Sequence, residues 1–189
     1  MQFEVEKKYW VNDFDSCINA VKELGGEFSD PVEQADQYFQ HPARNFTETD
    51  EVLRLRMSNS DNYITYKGAR IDATTKTRHE LELPLASGNS TFQDFTELLS
   101  LLGFTPIMTV RKKRCKAHIQ WNDRDVEICL DEIDQLGTFI ELETTSDAQN
   151  LDAAKSVLVS LAEHLSLDRD ERRSYLELLL HQLAPPQVL

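Results

Sequence analysis

Polar and apolar residues alternate along most of this chain with the period of two that is typical of β-strands. The first segment sets the pattern, with one apolar and one charged face formed by alternate residues: Phe3, Val5, Tyr9, Val11 and Glu4, Glu6, Lys8. On one strand alone, this alternation is equally typical of the wet face of an open sheet. The same pattern predicts seven further strands, at about residues 27–40, 51–58, 62–68, 76–85, 105–121, 124–134 and 137–145.

Helical spacing of apolar residues appears only between and after these strands. It predicts helices from Asn12 or Asp13 to Gly25, over about 91–102 with Gly103 as the stop, and in the tail at about 150–183. The chain lacks the strand–helix rhythm of a parallel sheet, so we expect a mainly antiparallel α+β fold. Residues 1–189 are expected to form one domain, with the sheet at about 1–146 and the C-terminal helices at about 150–183.

Each predicted strand carries charges on one face and apolar residues on the other. The charged faces contain eight acids and eight bases: Glu4, Glu6, Glu80, Glu82, Glu127, Asp131, Glu141, Glu143, and Lys8, Arg54, Arg56, Lys67, Lys76, Arg78, Lys112, Arg114. One register is ambiguous, because Arg111 and Lys113 could replace Lys112 and Arg114 after a slip of one residue. We expect Lys112 and Arg114 to share the face of Val110.

The helices need an apolar partner for their stripes, and the apolar strand faces are the only large one in the sequence. Helices on the outside would turn the charged faces toward one another. We therefore expect a closed antiparallel β-barrel, or tunnel, of about eight strands, with a charged interior and helices packed outside.

Charge and cysteine content exclude some partners. The net charge is −13, whereas a general nucleic-acid binder has a basic surface. Three separated cysteines favour a reducing compartment. With no signal peptide or membrane span recognisable in the sequence, we expect a cytoplasmic protein without nucleic-acid or membrane partners.

A balanced interior of this kind suits a ligand that is both anionic and bound to a metal. Arg and Lys bind phosphate oxygens, and carboxylates bind a hard divalent cation such as Mg²⁺ or Mn²⁺. A nucleoside triphosphate with its metal meets both requirements. The alternative is that the charges only pair with one another, although apolar packing is often more stable than such buried pairs.

Several motifs, in order along the chain, resemble those of the CYTH superfamily of triphosphate tunnel metalloenzymes. The first is Glu4-x-Glu6-x-Lys8, which is similar to the ExExK signature of that family. The others are Asp36-x-Tyr38-Phe39, Leu53-Arg54-Leu55-Arg56, Tyr66-Lys67-Gly68, Lys76-Thr77-Arg78-x-Glu80-x-Glu82, Lys112-x-Arg114, Leu130-Asp131-x-Ile133-x-x-Leu136-Gly137 and Glu141-x-Glu143. The loop at 41–49 and the tail at 173–179 most resemble the class IV adenylyl cyclase subgroup.

The resemblance implies a role for each charged residue. Metal ions would lie on Glu4, Glu6, Glu141 and Glu143. The catalytic set would be Lys8, Arg54, Arg56, Lys112, Arg114 and Asp131, where Asp131 binds a second ion or accepts the proton. The substrate would contact Lys8, Arg54, Arg56, Lys67, Lys76, Arg78, Lys112, Arg114 and Tyr38.

The activity that the resemblance implies is an adenylate cyclase, which converts ATP to cyclic AMP and pyrophosphate. Its adenine would lie at the tunnel mouth against Tyr38, Phe39 or Phe46. The alternative is a triphosphatase that hydrolyses tripolyphosphate, thiamine triphosphate or a nucleoside triphosphate. A non-enzymatic binder would need no metal glutamates. A homodimer is implied only by analogy with the family.

Overall fold

The computed structural model describes residues 2–70 and 78–183. They form eight strands and five helices. The strands are β1 Gln2–Trp10, β2 Val32–Gln40, β3 Val52–Ser58, β4 Asp61–Lys67, β5 Glu80–Leu85, β6 Thr105–Trp121, β7 Arg124–Ile133 and β8 Gly137–Asp147. The helices are α1 Asp15–Glu23, α2 Phe46–Thr49, α3 Asn89–Leu101, α4 Leu151–His164 and α5 Tyr175–Leu183.

These bounds confirm the predicted order of elements and correct three details. β2 begins five residues later than expected, directly after Pro31, which has no N–H to donate to a ladder. The short helix α2 lies in the segment expected to be a loop, where the Asn45 side chain accepts a hydrogen bond from the Thr47 N–H. The predicted strand at 76–85 falls partly outside the described residues, and β5 is the described part of it.

All eight strands belong to one antiparallel sheet, in the order β1-β8-β7-β6-β2-β3-β4-β5. Edge strand β1 meets the segment just before the other edge strand, β5, in one isolated bridge between Glu4 and Arg78. No continuous ladder joins them within the described ranges. The sheet is therefore strongly curled, and the expected full closure into a barrel is not confirmed.

Most helices cover the outer face of the sheet, as predicted. α1 and α4 pack against the apolar faces of β1, β6, β7 and β8, where Val5, Ile128 and Leu142 are fully buried beside Leu158 and Leu161. α3 covers a second patch that contains Phe39 and Leu55. Removal of this apolar area from water is the main stabilising contribution to the fold. No helix in the described ranges is long and apolar enough to cross a membrane.

Helix α5 packs on the other side of the sheet. Tyr175, Leu178 and Leu179 form a cluster with Tyr38, Val110, Ile133 and Phe139. By alternation, these strand residues share a face with the charged Asp36, Lys112, Asp131 and Glu141. The prediction that this face is charged throughout and that every helix lies outside was therefore wrong at this end, where α5 covers an apolar patch.

The long strand β6 settles the ambiguous register. Val110, Lys112 and Arg114 are buried, while Arg111 and Lys113 are exposed. A slip of one residue would have buried the exposed pair and exposed Val110. The predicted pair, Lys112 and Arg114, is confirmed as the one that faces inward.

Candidate active site

A cavity of about 250 Å³ lies within the curve of the sheet, and its wall is almost entirely charged. Sixteen of its twenty lining residues carry a charge, eight of each sign. The cations are Lys8, Arg54, Arg56, Lys67, Arg78, Lys112, Arg114 and Lys116, and the anions are Glu4, Glu6, Asp36, Glu80, Glu82, Glu127, Glu141 and Glu143. Every strand contributes at least one of them, because the ladder registers bring the charged positions of neighbouring strands opposite one another.

One part of this wall is an arginine pair around Asp36. Arg56 donates to both Asp36 oxygens, from Nε at 2.6 Å and Nη2 at 2.8 Å. Arg54 donates to Asp36 from Nη1 at 3.4 Å and to Glu82 from Nη2 at 3.3 Å. Burial acts to raise the pKa of Asp36, but Arg54 and Arg56 outweigh it and hold that pKa far below its usual range. Asp36 therefore fixes both guanidinium groups as cations.

Arg54 also has an N–H donor for which the described residues provide no acceptor. Its Nε is buried and has no hydrogen-bond partner among the described residues. An unpartnered buried donor carries a substantial free-energy cost unless a ligand or water accepts from it. An anionic oxygen in the cavity would fill that vacancy.

A second part of the wall is supported from behind by Asp131. This carboxylate is fully buried and accepts hydrogen bonds from Arg114 Nε, at 2.7 Å, and from the Tyr175 hydroxyl, at 2.8 Å. Lys112 Nζ lies 3.5 Å from it. Burial acts to raise the pKa of Asp131, but Arg114 and Lys112 lower it overall. Arg114 also donates to Glu141.

Two lysines of the wall, Lys67 and Lys8, are held by nearby groups. Lys67 lies 3.3 Å from Glu4 and also contacts Glu80. Lys8 Nζ donates to the Arg173 carbonyl oxygen at 2.6 Å and lies 3.9 Å from the centre of the Tyr175 ring. Burial acts to lower the pKa of Lys67, but Glu4 and Glu80 raise it overall. Lys67 is therefore charged at neutral pH.

Carboxylates crowd the wall where β1 and β8 pair. Glu6 stands directly opposite Glu143, and Glu141 follows on the same face of β8. Burial, together with nearby Glu4, Glu141 and Glu6, holds the pKa of Glu143 well above its usual range. A hard divalent cation relieves such crowding and takes carboxylate oxygens as ligands, so these residues fit a Mg²⁺ or Mn²⁺ ion.

Among the described residues, a different group has its ligand atoms within 4.8 Å of one another: Glu127, Cys129 and Glu143. Cys129 is buried. It lies on the charged face of β7, between Glu127 and Asp131, and its thiol contacts Glu127 at 3.4 Å. Of the predicted quartet, only Glu143 belongs to this tight group.

The structure brings together most of the predicted site residues. Those that line the cavity are Lys8, Tyr38, Arg54, Arg56, Lys67, Arg78, Lys112, Arg114, Glu4, Glu6, Glu141 and Glu143. Lys76 lies outside the described residues. Asp131 lies behind the wall with its oxygens engaged, so its placement at the reacting atoms is not supported.

Two of the expected adenine contacts were wrong. Phe39 is 1% exposed and packs with Leu55 and Leu99 under α3, because alternation places it opposite Tyr38. Phe46 is buried beside His41, with ring centres 5.4 Å apart. Neither residue lines the cavity.

Several wall residues had been given no role from the sequence. Asp36 and Lys116 were detectable, since Asp36 lies two residues before Tyr38 and Lys116 two residues after Arg114, both in phase. Ser174 and Tyr175 also line the cavity. They come from the tail, and no local pattern predicts where the tail packs.

The family of this protein follows from comparison with known sequences. The model of the CYTH domain matches residues 2–175. The chain therefore belongs to the CYTH domain family, whose members act on triphosphate substrates.

Individual relatives cover nearly the whole chain. A protein of Methanocaldococcus jannaschii named "Putative adenylate cyclase MJ0240" is 34% identical over 178 residues, which is 93% of this chain and 97% of the relative. The solved structure of the PH1819 protein from Pyrococcus horikoshii OT3 matches with a TM-score of 0.83 at 38% identity, over 95% of this chain and 99% of that one. A Hippeastrum protein described as having a dominant triphosphatase activity matches with a TM-score of 0.67, over 98% of each chain. At 15% identity, that last match shows the fold alone.

Proposed function

We propose that this protein is a metal-dependent enzyme that cleaves a triphosphate bound in the charged cavity, with conversion of ATP to cyclic AMP and pyrophosphate as the first candidate reaction. The observation that carries the proposal is the cavity wall, with eight cations around a small volume and an unpartnered Arg54 donor. The name of the 34% identical relative supports the choice of cyclisation.

Substrate binding would be divided among the cations according to how each is held. Arg54 and Arg56, fixed by Asp36, would bind oxygens of the β- and γ-phosphates together with Lys112 and Arg114. Lys8, Lys67 and Arg78 are further contacts, and Lys76 stays a prediction. Because carboxylate partners fix Arg54, Arg56, Lys67 and Arg114 before the substrate arrives, little reorganisation of these four groups would be needed in the transition state.

The metal would be held by Glu4, Glu6, Glu141 and Glu143. When bound, it would neutralise charge on phosphate oxygens and make the attacking hydroxyl more acidic. In cyclisation, the ribose 3′-oxygen forms a bond to the α-phosphorus while the bond to the pyrophosphate oxygen breaks. The hydroxyl proton passes to solvent, and the cations stabilise the charge that develops on pyrophosphate.

Hydrolysis is the second candidate. The charged wall recognises phosphates whatever they are attached to, so water could attack the γ-phosphorus of the same bound substrate. Product analysis separates the two reactions. The protein is incubated with ATP and, separately, with tripolyphosphate, each with Mg²⁺ or Mn²⁺, and the products are resolved by anion-exchange chromatography. Cyclic AMP with pyrophosphate supports cyclisation, and orthophosphate without cyclic nucleotide supports hydrolysis.

The proposed metal role predicts the effect of Glu6→Gln. Loss of one ligand charge beside Glu143 should lower kcat at least about 100-fold with either substrate, consistent with the several kcal/mol that metal stabilisation supplies. Glu132→Gln is the matched control, because Glu132 is an exposed glutamate of the neighbouring sheet surface. Unchanged turnover in Glu6→Gln, with the fold verified by circular dichroism, would remove the metal role proposed for this residue.

A further inference from the structure

A second cavity, of about 300 Å³, adjoins the charged one. Arg56, Glu82, Arg114 and Lys116 line both cavities, so the two share a charged boundary. Beyond that boundary the chemistry changes. The residues that line only the second cavity are all uncharged: Ser29, Val32, Gln34, Ser58 and Tyr63.

The second cavity lies at the end of the sheet opposite helix α5. Helix α5 covers the end that contains Tyr38 and Val110. Gln34 and Ser58 pair at the opposite end of the β2–β3 ladder, and Tyr63 pairs with Arg56 on the same side. A group attached to a phosphate chain in the charged cavity can therefore extend across the shared boundary into the second cavity, away from α5.

Gln34 gives this wall a hydrogen-bond acceptor for which the described residues provide no donor. The residue is 8% exposed, and its Nε2 donates to the Ser58 hydroxyl at 3.3 Å. Its Oε1 is buried and accepts no hydrogen bond from the described residues. A buried amide oxygen without a donor is rare in folded proteins, because its desolvation is then uncompensated. The group that completes this wall should therefore carry an N–H donor.

We propose that the second cavity binds the base of a nucleoside triphosphate and that Gln34 selects a base with an exocyclic amino group, as in adenine. This inference rests on the proposed function, in that the phosphates occupy the charged cavity. The uncharged wall suits a neutral heterocycle: hydroxyl and amide groups bind its edge, and the Tyr63 ring offers an aromatic surface. Inorganic tripolyphosphate would leave this cavity without a ligand.

ATP and ITP provide the test, because inosine has a carbonyl oxygen where adenine has its amino group. That carbonyl would face the Gln34 oxygen with no hydrogen between them. We expect the dissociation constant of ITP, measured by isothermal titration calorimetry with Mn²⁺, to exceed that of ATP about tenfold or more. Turnover of both nucleotides and of tripolyphosphate is measured alongside.

A substitution of Gln34 tests whether this residue causes the preference for ATP over ITP. Gln34→Leu keeps the size of the side chain and removes the acceptor, so the ratio of the two dissociation constants should fall to about one. Gln120→Leu, at an exposed glutamine of β6, is the control and should leave the ratio unchanged. If Gln34→Leu fails to fold, as judged by circular dichroism, Gln34→Met replaces it.

The outcomes separate this inference from the proposed function. Equal affinity of the wild-type protein for ATP and ITP, or a preference that survives in Gln34→Leu, would overturn the inference while leaving triphosphate cleavage in place. Preferential ATP binding without turnover of any triphosphate would support the nucleoside site and overturn the proposed enzyme activity.

Discussion

Asp131 and Tyr175 are 44 positions apart in the chain and meet behind the cavity wall. The same carboxylate accepts from Arg114, so one buried acid connects the tail to a phosphate-binding candidate. Its neighbours occupy both oxygens, which leaves no oxygen facing a substrate. We therefore propose that Asp131 is a positioning residue that orients Arg114, rather than the base or metal ligand considered from the sequence.

This arrangement predicts energetic coupling between the two residues. Tyr175→Phe removes one hydrogen bond to a charged group and should lower the free energy of unfolding by about 1.5–3 kcal/mol. Asp131→Asn removes the buried charge that pairs with Arg114 and should lower it by about 3–5 kcal/mol. Because the Tyr175 bond depends on that charge, the double variant should lose less than the sum, with a coupling of at least about 0.5 kcal/mol.

Urea unfolding, monitored by circular dichroism, gives the change in unfolding free energy for the two single variants and for the double variant. Activity supplies a second measure, since a misplaced Arg114 should lower kcat as well as raise the KM for the triphosphate, because Arg114 is proposed to stabilise the charge that develops on pyrophosphate. Strictly additive losses would show that Tyr175 does not act through Asp131.

At the scale of elements, α5 departs most from the amphipathic pattern that places helices outside a sheet. Its stripe at positions i, i+3 and i+4, Tyr175, Leu178 and Leu179, is an ordinary one. Its partners Val110, Ile133 and Phe139 form an apolar end on an otherwise charged strand face. The helix is therefore a cover for one end of the charged cavity, and Tyr175 is the residue by which it reaches the polar wall.

The cover predicts a contrast between two leucines of the same helix. Leu178 is 5% exposed and Leu183 is 65% exposed. Leu178→Ala should lower the free energy of unfolding by about 2–5 kcal/mol, because it leaves a cavity between α5 and the sheet. Leu183→Ala is the matched control and should change it by less than about 0.5 kcal/mol.

The same urea titration measures both leucine variants. If both losses were below 0.5 kcal/mol, α5 would not be docked on the inner face. An equal, large loss at Leu183 would point to a partner surface over the exposed side of the helix instead.

For the whole molecule, the charge is divided sharply between inside and outside. The cavity wall is neutral in sum, so the net charge of −13 falls on the remaining residues. This separation was predictable, because each strand repeats a two-residue period and the charges on one phase balance. The eight strands and the inward pair Lys112 and Arg114 followed from that period, and the covering helices followed from the helical spacing of apolar residues between and after the strands.

The two-residue period could not predict features of the fold and site that depend on contacts between distant parts of the chain. Lys8 donates to the carbonyl of Arg173, 165 positions away, and no local pattern places the tail over that lysine. The sheet edges were expected to pair fully, whereas the described residues join them by one bridge. Phe39 and Phe46 were proposed for adenine, yet Phe39 is buried under α3 and Phe46, in α2, is buried beside His41.

Asp36 provides a test of how the neutral interior responds to pH. Its pKa in the folded protein is depressed, whereas in the unfolded chain it is about 3.9. A depressed pKa means that the unfolded state binds the proton first, so the stability that Asp36 contributes is present above about pH 4–5 and is lost as the pH falls below it. Asp36→Asn removes this contribution at every pH. The difference in unfolding free energy between wild type and variant should therefore be about 3–5 kcal/mol and constant from pH 5 to 7, because a buried ion pair with Arg56 is broken.

Below pH 4 that difference should shrink steadily, and urea titrations at intervals from pH 3.5 to 7 can follow it. Asp61→Asn is the control, because Asp61 is an exposed residue at the start of β4 and its variant should differ from wild type by less than about 0.5 kcal/mol throughout. Comparison with the Asp36→Asn variant cancels the acid response of every other carboxylate. The change of the free-energy difference with pH therefore reports on Asp36. If the difference stayed constant down to pH 3.5, the two arginines would not be holding Asp36 as an anion. A proton on Asp36, rather than its ion pairs with Arg54 and Arg56, would then have to account for the balance of charges in the wall.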